Sequence, residues 1–347
     1  MSISLYKEIT SIKNLFQAWK EFRRGKGNKK DVLEFEYHLE QNIFQLHRDL
    51  RDKKYEHGPY KSFYITDPKR RHIHKAIVRD RVVHHAIYKT FYPIFNPTFI
   101  ATSFSCRFGK GTHRGVLWLA KSIRKVSKNH TKPCFILKCD IRRFFDSVDH
   151  NVLIAILNKR IRDKEARHLL DEVVRGFSSG SSNLFEKVGL PIGNLTSQLF
   201  ANIYMNEFDQ FIKQDLKVRY YARYTDDFVI VSESEQYLKD ILKPIADFLD
   251  TELKLLLHPH KVSIQKSHNG VDYLGYIVLP HYTLLRTKTK NRIYRGLSRK
   301  VMEYKNGKVE KEAVEQSLHS YLGTLSHANA HKISEELKNT FWFEIND

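Results

Sequence analysis

Three cysteines in 347 residues are too few for a disulfide scaffold. Cys106, Cys134 and Cys139 also lack the paired spacing of a zinc centre, so buried thiols in a reducing compartment are expected. No apolar run approaches the roughly 18 residues a membrane span needs, so a membrane partner is not expected. The start, Met1 to Glu8, has no apolar signal core, which predicts a mature cytoplasmic chain. Histidine pairs occur at His72/His74, His84/His85 and His258/His260, without the Cys partners or His-Glu-x-x-His pattern of a metal centre. Internal repeats and a low-complexity tail are also missing. Acidic residues are in short supply: 39 Asp and Glu stand against 59 Lys and Arg, a formal charge of +20. Such an excess suits a polyanionic partner, nucleic acid above all, although a solvated basic surface explains charge alone equally well.

What the chain does have is a globular composition, 41% hydrophobic and 12% aromatic, over a length that allows two or three subdomains. Residues 31–52 place Val32, Phe35, Leu39, Ile43, Leu46 and Leu50 at helical spacing, after a basic loop at 23–30. Tyr60 to Ile65 alternates like a strand; Asp67-Pro68-Lys69 turns into a second strand, His72 to Val78. Asp80 to Phe91 reads as a helix ended near Pro93. Residues 101–114 read as an irregular Gly-rich segment, Gly115 to Val126 as a helix, and Asn151 to Phe177 as a helix broken at Gly176. Beyond Leu285 comes a helix dense in Arg and Lys, suited to a phosphate backbone.

Three segments carry chemistry. Phe135 to Ile141 is an apolar strand that ends on Asp140, and a charge at the end of a buried strand needs a partner. Val218 to Tyr224 and Phe228 to Ser232 are strands joined through Thr225, Asp226 and Asp227. Taken alone, these adjacent carboxylates are an ordinary turn. Together with Asp140 they can hold hard divalent cations, and two such ions can clamp the attacking and leaving oxygens of a phosphoryl transfer. Between the two lies a glycine-bearing loop, Gly189 to Gln198, feeding a helix with Asn194, Thr196 or Ser197 as candidate caps.

The order of these segments resembles the reverse transcriptases, over roughly residues 30–335. Asp80 to Ile87 is similar to an early fingers motif, Asp140 with Phe145 to the first catalytic motif, Gly189 to Gln198 to the Gly-loop motif, and Tyr224 to Asp227 to the Tyr-x-Asp-Asp box. Lys261 and Tyr273-Leu274-Gly275-Tyr276 are similar to later palm and primer-grip motifs. The resemblance implies an α+β right-hand polymerase fold: N-terminal helices and fingers at 1–100, palm at 101–146 and 193–282, second fingers part at 147–192, and a helical thumb at 283–347 with little beyond it. Ile192-Gly193-Asn194-Leu195-Thr196-Ser197-Gln198 and the thumb segment Ser320 to His331 further resemble enzymes of diversity-generating retroelements. Those enzymes copy a template-repeat RNA, err at adenines, and work with a small basic accessory protein. Group-II-intron-like or phage-defence enzymes, and an inactive RNA-binding scaffold, are the alternatives.

The resemblance also implies roles. Asp140, Asp226, Asp227 and the Ile141 carbonyl would hold two Mg²⁺ ions, with Mn²⁺ as a substitute; Asp227 alternatively only supports the other two. Lys69 and Arg71 would grip the dNTP triphosphate, with Arg70 and Arg79 surface or structural. Phe145 would exclude a ribose 2′-hydroxyl while Phe144 packs inside. Ile192, where most relatives have Gln, cannot hydrogen-bond a sugar and would lower fidelity, beside Gly193 and Gln198 in the dNTP site. Lys261 is either a general acid for pyrophosphate or a solvated lysine. Tyr224, Tyr273, Leu274, Gly275, Tyr276, Arg292, Arg295 and Arg299 would bind primer, template RNA and cDNA.

Overall fold

The computed structural model describes residues 4–67, 69–177 and 187–346; Met1 to Ile3, and Pro68 of the expected turn, lie outside the described residues. Helices α1 (Leu5–Thr10) and α2 (Ile12–Arg23) are capped by the Ser4 and Ser11 hydroxyls, which accept from the Lys7 and Asn14 amides. The helix expected over 31–52 is two, α3 (Lys30–Tyr37) and α4 (Leu39–Arg51), parted where His38 leaves helical geometry at φ −115°, ψ 36°. Strands β1 (Lys61–Ile65) and β2 (Arg71–Lys75) form an antiparallel ribbon with Lys61 opposite Lys75. The second strand stops short of the expected Val78, because Val78 already opens α5 (Val78–Phe95). Pro93 does not end α5 either. It sits in the last turn, where it costs one backbone bond, and buried Phe91, Tyr92 and Phe95 hold that turn in place.

After α6 (Thr112–Val126), strand β3 (Phe135–Asp140) enters the main sheet. The short α7 (Phe144–Ser147) leads to α8 (His150–Arg160) and α9 (Lys164–Arg175). The single helix expected there breaks at 161–163, since the Asp163 carboxylate caps α9 by accepting from the Glu165 and Ala166 amides at 3.0 Å. Helix α10 (Leu195–Gln210) precedes β4 (Tyr221–Tyr224) and β5 (Asp227–Ser232); α11 (Glu235–Asp240) and α12 (Leu242–Leu253) precede β6 (Ser263–Lys266). These four strands pair antiparallel in the order β4-β5-β3-β6.

Both faces of this sheet are covered, which is why its central strands read as continuous apolar runs. Leu137, Cys139, Tyr221, Phe228 and Ile230 join one core with α5 and α10. Ile136, Ala222, Val229 and Val231 join a second with α6 and the C-terminal part of the chain. That part holds a small antiparallel sheet, β7 (Val271–Tyr273), β8 (Tyr276–Val278) and β9 (Thr283–Leu285), followed by α13 (Thr287–Lys305), α14 (Lys311–Leu325) and α15 (His331–Asn346). Cys134 and Cys139 are buried as expected, but Cys106 is exposed, on a turn residue at φ +54°. Among the described residues no helix is long and apolar enough to cross a membrane.

Candidate active site

Strand register assembles the carboxylates. Asp140, the last residue of β3, lies directly opposite Asp227, the first of β5, and Asp227 in turn lies opposite Tyr224. Directly opposed residues of an antiparallel pair project from the same face, so Asp140 and Asp227 share one corner of the sheet. Asp226 sits beside them in the two-residue loop of the β4–β5 hairpin, and its carbonyl accepts from the Ile141 amide at 3.2 Å. Lys261 Nζ donates to Asp140 Oδ1 at 2.9 Å. The corner is electrostatically crowded. Burial, then the charge of Asp140, raises the Asp226 pKa, with Lys261 and Arg71 acting against the rise. Burial, then Asp226 and Asp140, pushes Asp227 up to about 7.

The loop itself is backbone-strained. Thr225 holds φ +58°, a value β-branched residues rarely adopt. A buried network beneath it supplies the compensation. Arg223 is fully buried and forks onto Asp209 of α10, Nε to Oδ1 at 2.7 Å and Nη2 to Oδ2 at 2.6 Å. The Tyr221 hydroxyl also donates to Asp209, at 2.6 Å. From the other end of the guanidinium, Nη1 donates to the Thr225 carbonyl at 3.0 Å and Nη2 to Ser103 Oγ at 3.2 Å. The Thr225 hydroxyl donates to Ser105 Oγ at 2.6 Å, and the Ser105 carbonyl accepts from the Asn202 amide at 2.9 Å. Sequence reasoning missed Arg223 and Asp209. The available signal was a charge at a core-facing position of a buried strand, which demands a buried partner.

The glycine loop docks on β2. The His74 amide donates to the Ile192 carbonyl at 3.0 Å, and the Asn194 side chain brackets β2 by donating to the His74 carbonyl at 2.8 Å and accepting from the Ala76 amide at 3.3 Å. Asn194 holds the position before α10 but makes no side-chain cap bond there; its amide is committed to β2. Gly193 has φ +115°, and a Cβ there would lie 2.9 Å from Ile73 Cγ2. Gly193 and the exposed Gln198 line a cavity of about 560 Å³ with Lys26, Lys75 and Arg81.

Lys69 and Arg71 are exposed on the β1–β2 ribbon; Arg71 acts electrostatically on Asp226. Arg70 stacks over Tyr64 at 4.4 Å, and Arg79 pairs with Asp49 at 3.1 Å. Phe144 is buried, whereas Phe145 is half-exposed against it, ring centres 5.3 Å apart. Tyr273 and Tyr276, expected at the primer, are buried, and the Tyr276 hydroxyl donates to the Thr324 carbonyl at 3.0 Å. Their side chains are therefore core, and Leu274 at φ +50° and Gly275 at φ +91° form the tip of that hairpin. Tyr224 is half-buried and takes a hydrogen bond from the Thr112 hydroxyl at 3.3 Å. Arg292, Arg295 and Arg299 line one side of a cavity of about 610 Å³, with Thr66 and Asp67 of the β1–β2 turn across it.

The pattern of the family described as reverse transcriptase (RNA-dependent DNA polymerase) matches residues 66–278, more than half of the chain. This chain belongs to the reverse transcriptase family. It is 22% identical over 342 residues to the putative COX1/OXI3 intron 2 protein of Saccharomyces cerevisiae, covering 79% of this chain and 38% of the yeast protein. It is 25% identical over 286 residues to the protein YkfC of Escherichia coli, covering 72% and 74%. It is 22% identical over 306 residues to the group II intron-encoded protein LtrA of Lactococcus lactis, covering 68% and 49%. The chain thus spans well under half of the yeast relative and about half of LtrA. The fold is the right-hand fold shared with the telomerase of Candida albicans, whose structure in complex with a telomeric RNA fragment superposes with a TM-score of 0.50, at 10% identity, over 85% of this chain and 61% of the other. The four-stranded sheet with its carboxylate corner draws its strands from 101–146 and 193–282, the stretches the resemblance assigns to the palm.

Among the described residues no three His, Cys, Asp or Glu side chains stand ready as a metal cage, and the Lys261 ammonium is the cation now facing Asp140. The donor chemistry nevertheless fits a hard divalent ion: three crowded carboxylates, two of them, Asp226 and Asp227, held back from ionising by burial and by neighbouring carboxylate charge.

Proposed function

We propose that the chain is an RNA-directed DNA polymerase that extends a primer with dNTPs on an RNA template. The observation that carries this is the register that sets Asp140 against Asp227, with Asp226 in the adjoining turn. Asp140, Asp226, Asp227 and the Ile141 carbonyl are the groups that would hold Mg²⁺, or Mn²⁺ in its place. When bound, the metal supplies charge neutralisation for the primer 3′-oxygen, the triphosphate and the departing pyrophosphate.

The chain's own residues do the positioning. Arg71, already felt by Asp226, and Lys69 steer the triphosphate into the corner. Phe145 closes the sugar side of the dNTP pocket and excludes a 2′-hydroxyl, while Ile192, Gly193 and Gln198 border that pocket from the glycine loop. Lys261, whose ammonium donates to Asp140 at 2.9 Å, would supply a proton to the leaving pyrophosphate. The exposed arginines of α13 grip the duplex as a thumb. Primer extension on an RNA template, wild type against Asp226→Ala, tests this reading; equal extension by the variant would sink it.

We further propose the diversity-generating subtype, in which cDNA errors fall at template adenines and a basic accessory protein assists. Its support is Ile192 at the head of the glycine loop, where a hydrogen-bonding side chain is lost. The intron-encoded relatives favour a second reading, a group-II-intron-like enzyme of ordinary accuracy. Sequencing the cDNA decides between them: errors clustered at adenines support the first, an even spectrum the second.

A further inference from the structure

The far end of the palm sheet carries a second basic site. Phe135 opposite Ser232 marks that end, five register steps from Asp140 opposite Asp227. At about 3.4 Å per step this is roughly 17 Å from the carboxylate corner. A cavity of about 380 Å³ opens there. Four cations converge on it from two separate stretches of chain: Lys125 and Lys128 at the end of α6, and Lys217 and Arg219 ahead of β4. All four are exposed, and none is in an ion pair with a carboxylate among the described residues. Glu233 is the one acidic residue in the lining. Tyr220 and the exposed Tyr237 complete the wall, with the Arg219 guanidinium 5.3 Å from the Tyr220 ring centre. A second cavity of about 390 Å³, lined in part by Ser127 and His130 to Pro133 of the loop after α6, holds Lys132 and Lys266.

Four cations without a carboxylate partner gathered around one hollow raise the local positive potential and attract an anion. Aromatic faces beside phosphate-binding cations form the wall that binds single strands, stacking a base while the backbone is neutralised. An acidic peptide would satisfy the charges but would leave the tyrosines unused. We propose that this hollow binds a single-stranded segment of RNA outside the stretch being copied, anchoring the template molecule to the back of the palm. The choice of RNA over DNA rests on the proposed polymerase reading; the site itself does not.

The test uses the full chain with its channel saturated by an unlabelled RNA–DNA hybrid, and follows a fluorescein-labelled 12-nucleotide RNA by anisotropy. The wild type is expected to bind the labelled strand despite the hybrid. The triple variant Lys125→Gln, Lys217→Gln, Arg219→Gln is expected to lose roughly tenfold in affinity, and its log K against log salt slope should shrink by about 2, three contacts at about 0.7 each. Complete displacement by the hybrid, an unchanged slope in the variant, tighter binding of the matching DNA strand, or preference for an oligoglutamate peptide would each overturn the proposal. Extension of a short hybrid is a separate readout. It should be unchanged in the triple variant, which also shows that the variant folds. Its absence from the wild type would count against the polymerase reading and leave the binding result intact.

Discussion

Arg223 and Asp209 form a two-point ion pair, at 2.6 and 2.7 Å, in the interior beneath the β4–β5 hairpin. Removing one member leaves the other charge buried and alone, at a cost of about 3–5 kcal/mol. Arg223→Ala is therefore expected to lower unfolding free energy by that amount in urea titration. Arg223→Lys should rescue little, since an ammonium cannot make both bonds and also reach Thr225. A loss below about 1 kcal/mol in Arg223→Ala would show that the network does not carry the hairpin.

The carboxylate corner costs the folded chain stability. Asp227 is pushed up to about 7, above its usual range, by burial and its neighbours' charge. A raised carboxyl pKa means that the ionised form is disfavoured in the folded state, so stability falls as pH rises from the unfolded carboxyl range, about 4, through about 7. Asp227→Asn should raise the melting temperature in chelator at pH 7.5 while reducing synthesis. Divalent cations should stabilise the wild type more than the variant. A variant that melts lower than wild type in chelator would contradict this assignment.

Acid should weaken the helical N-terminal part by a different route. His85 is pushed down to about 4 by burial, with Lys26 and Arg81 adding to the effect, and buried His84 beside it is also lowered. The unfolded chain then binds more protons between about pH 6.5 and 4, so this stability is complete above 6.5 and lost as pH falls through that window. Melting curves across pH 4–7 should show the loss, and His85→Phe, which keeps a ring against Phe22, should flatten it. Parallel curves for the two proteins would remove His85 from the account.

Gly193 ties the glycine loop to the ribbon. With φ +115° and only 2.9 Å from a would-be Cβ to Ile73, Gly193→Ala should cost about 1–3 kcal/mol locally and raise the KM for dNTP more than it lowers kcat. A fall in kcat at constant KM would place the fault in the chemistry instead.

Phe145 tests the sugar pocket. Phe145→Ala is expected to admit rNTPs, narrowing the dNTP preference by tenfold or more, about 1.4 kcal/mol. Single-nucleotide incorporation reads it directly, and an unchanged ratio would remove Phe145 from the role.

The carboxylate corner was legible because its signals are local: a strand ending on Asp140, and a hairpin holding Asp226 and Asp227. Antiparallel pairing of two such strands is enough to bring them together. The support beneath was not legible, because Arg223 and Asp209 are fourteen residues apart on different elements and only packing shows that they meet. Helix ends failed where a single side chain decided them. Asp163 broke a helix by capping the next one, and Pro93 was absorbed because aromatic burial outweighed one lost bond. Tyr273 and Tyr276 read as a binding surface because the neighbours that bury them lie far off in the chain, Arg223 and Tyr224 near Tyr273, and His113 and Thr324 against Tyr276; Cys106 read as buried because cysteine usually is.

The measurement closest to the central claim is single-turnover extension of a DNA primer on an RNA template, with dNTPs and Mg²⁺, by wild type, Asp140→Asn and Asp226→Asn. The wild type is expected to extend the primer and both variants to lose at least a thousandfold, with folding intact by circular dichroism. Extension that survives either substitution, or a wild type that binds the hybrid yet adds no nucleotide with Mg²⁺ or Mn²⁺, would contradict that claim.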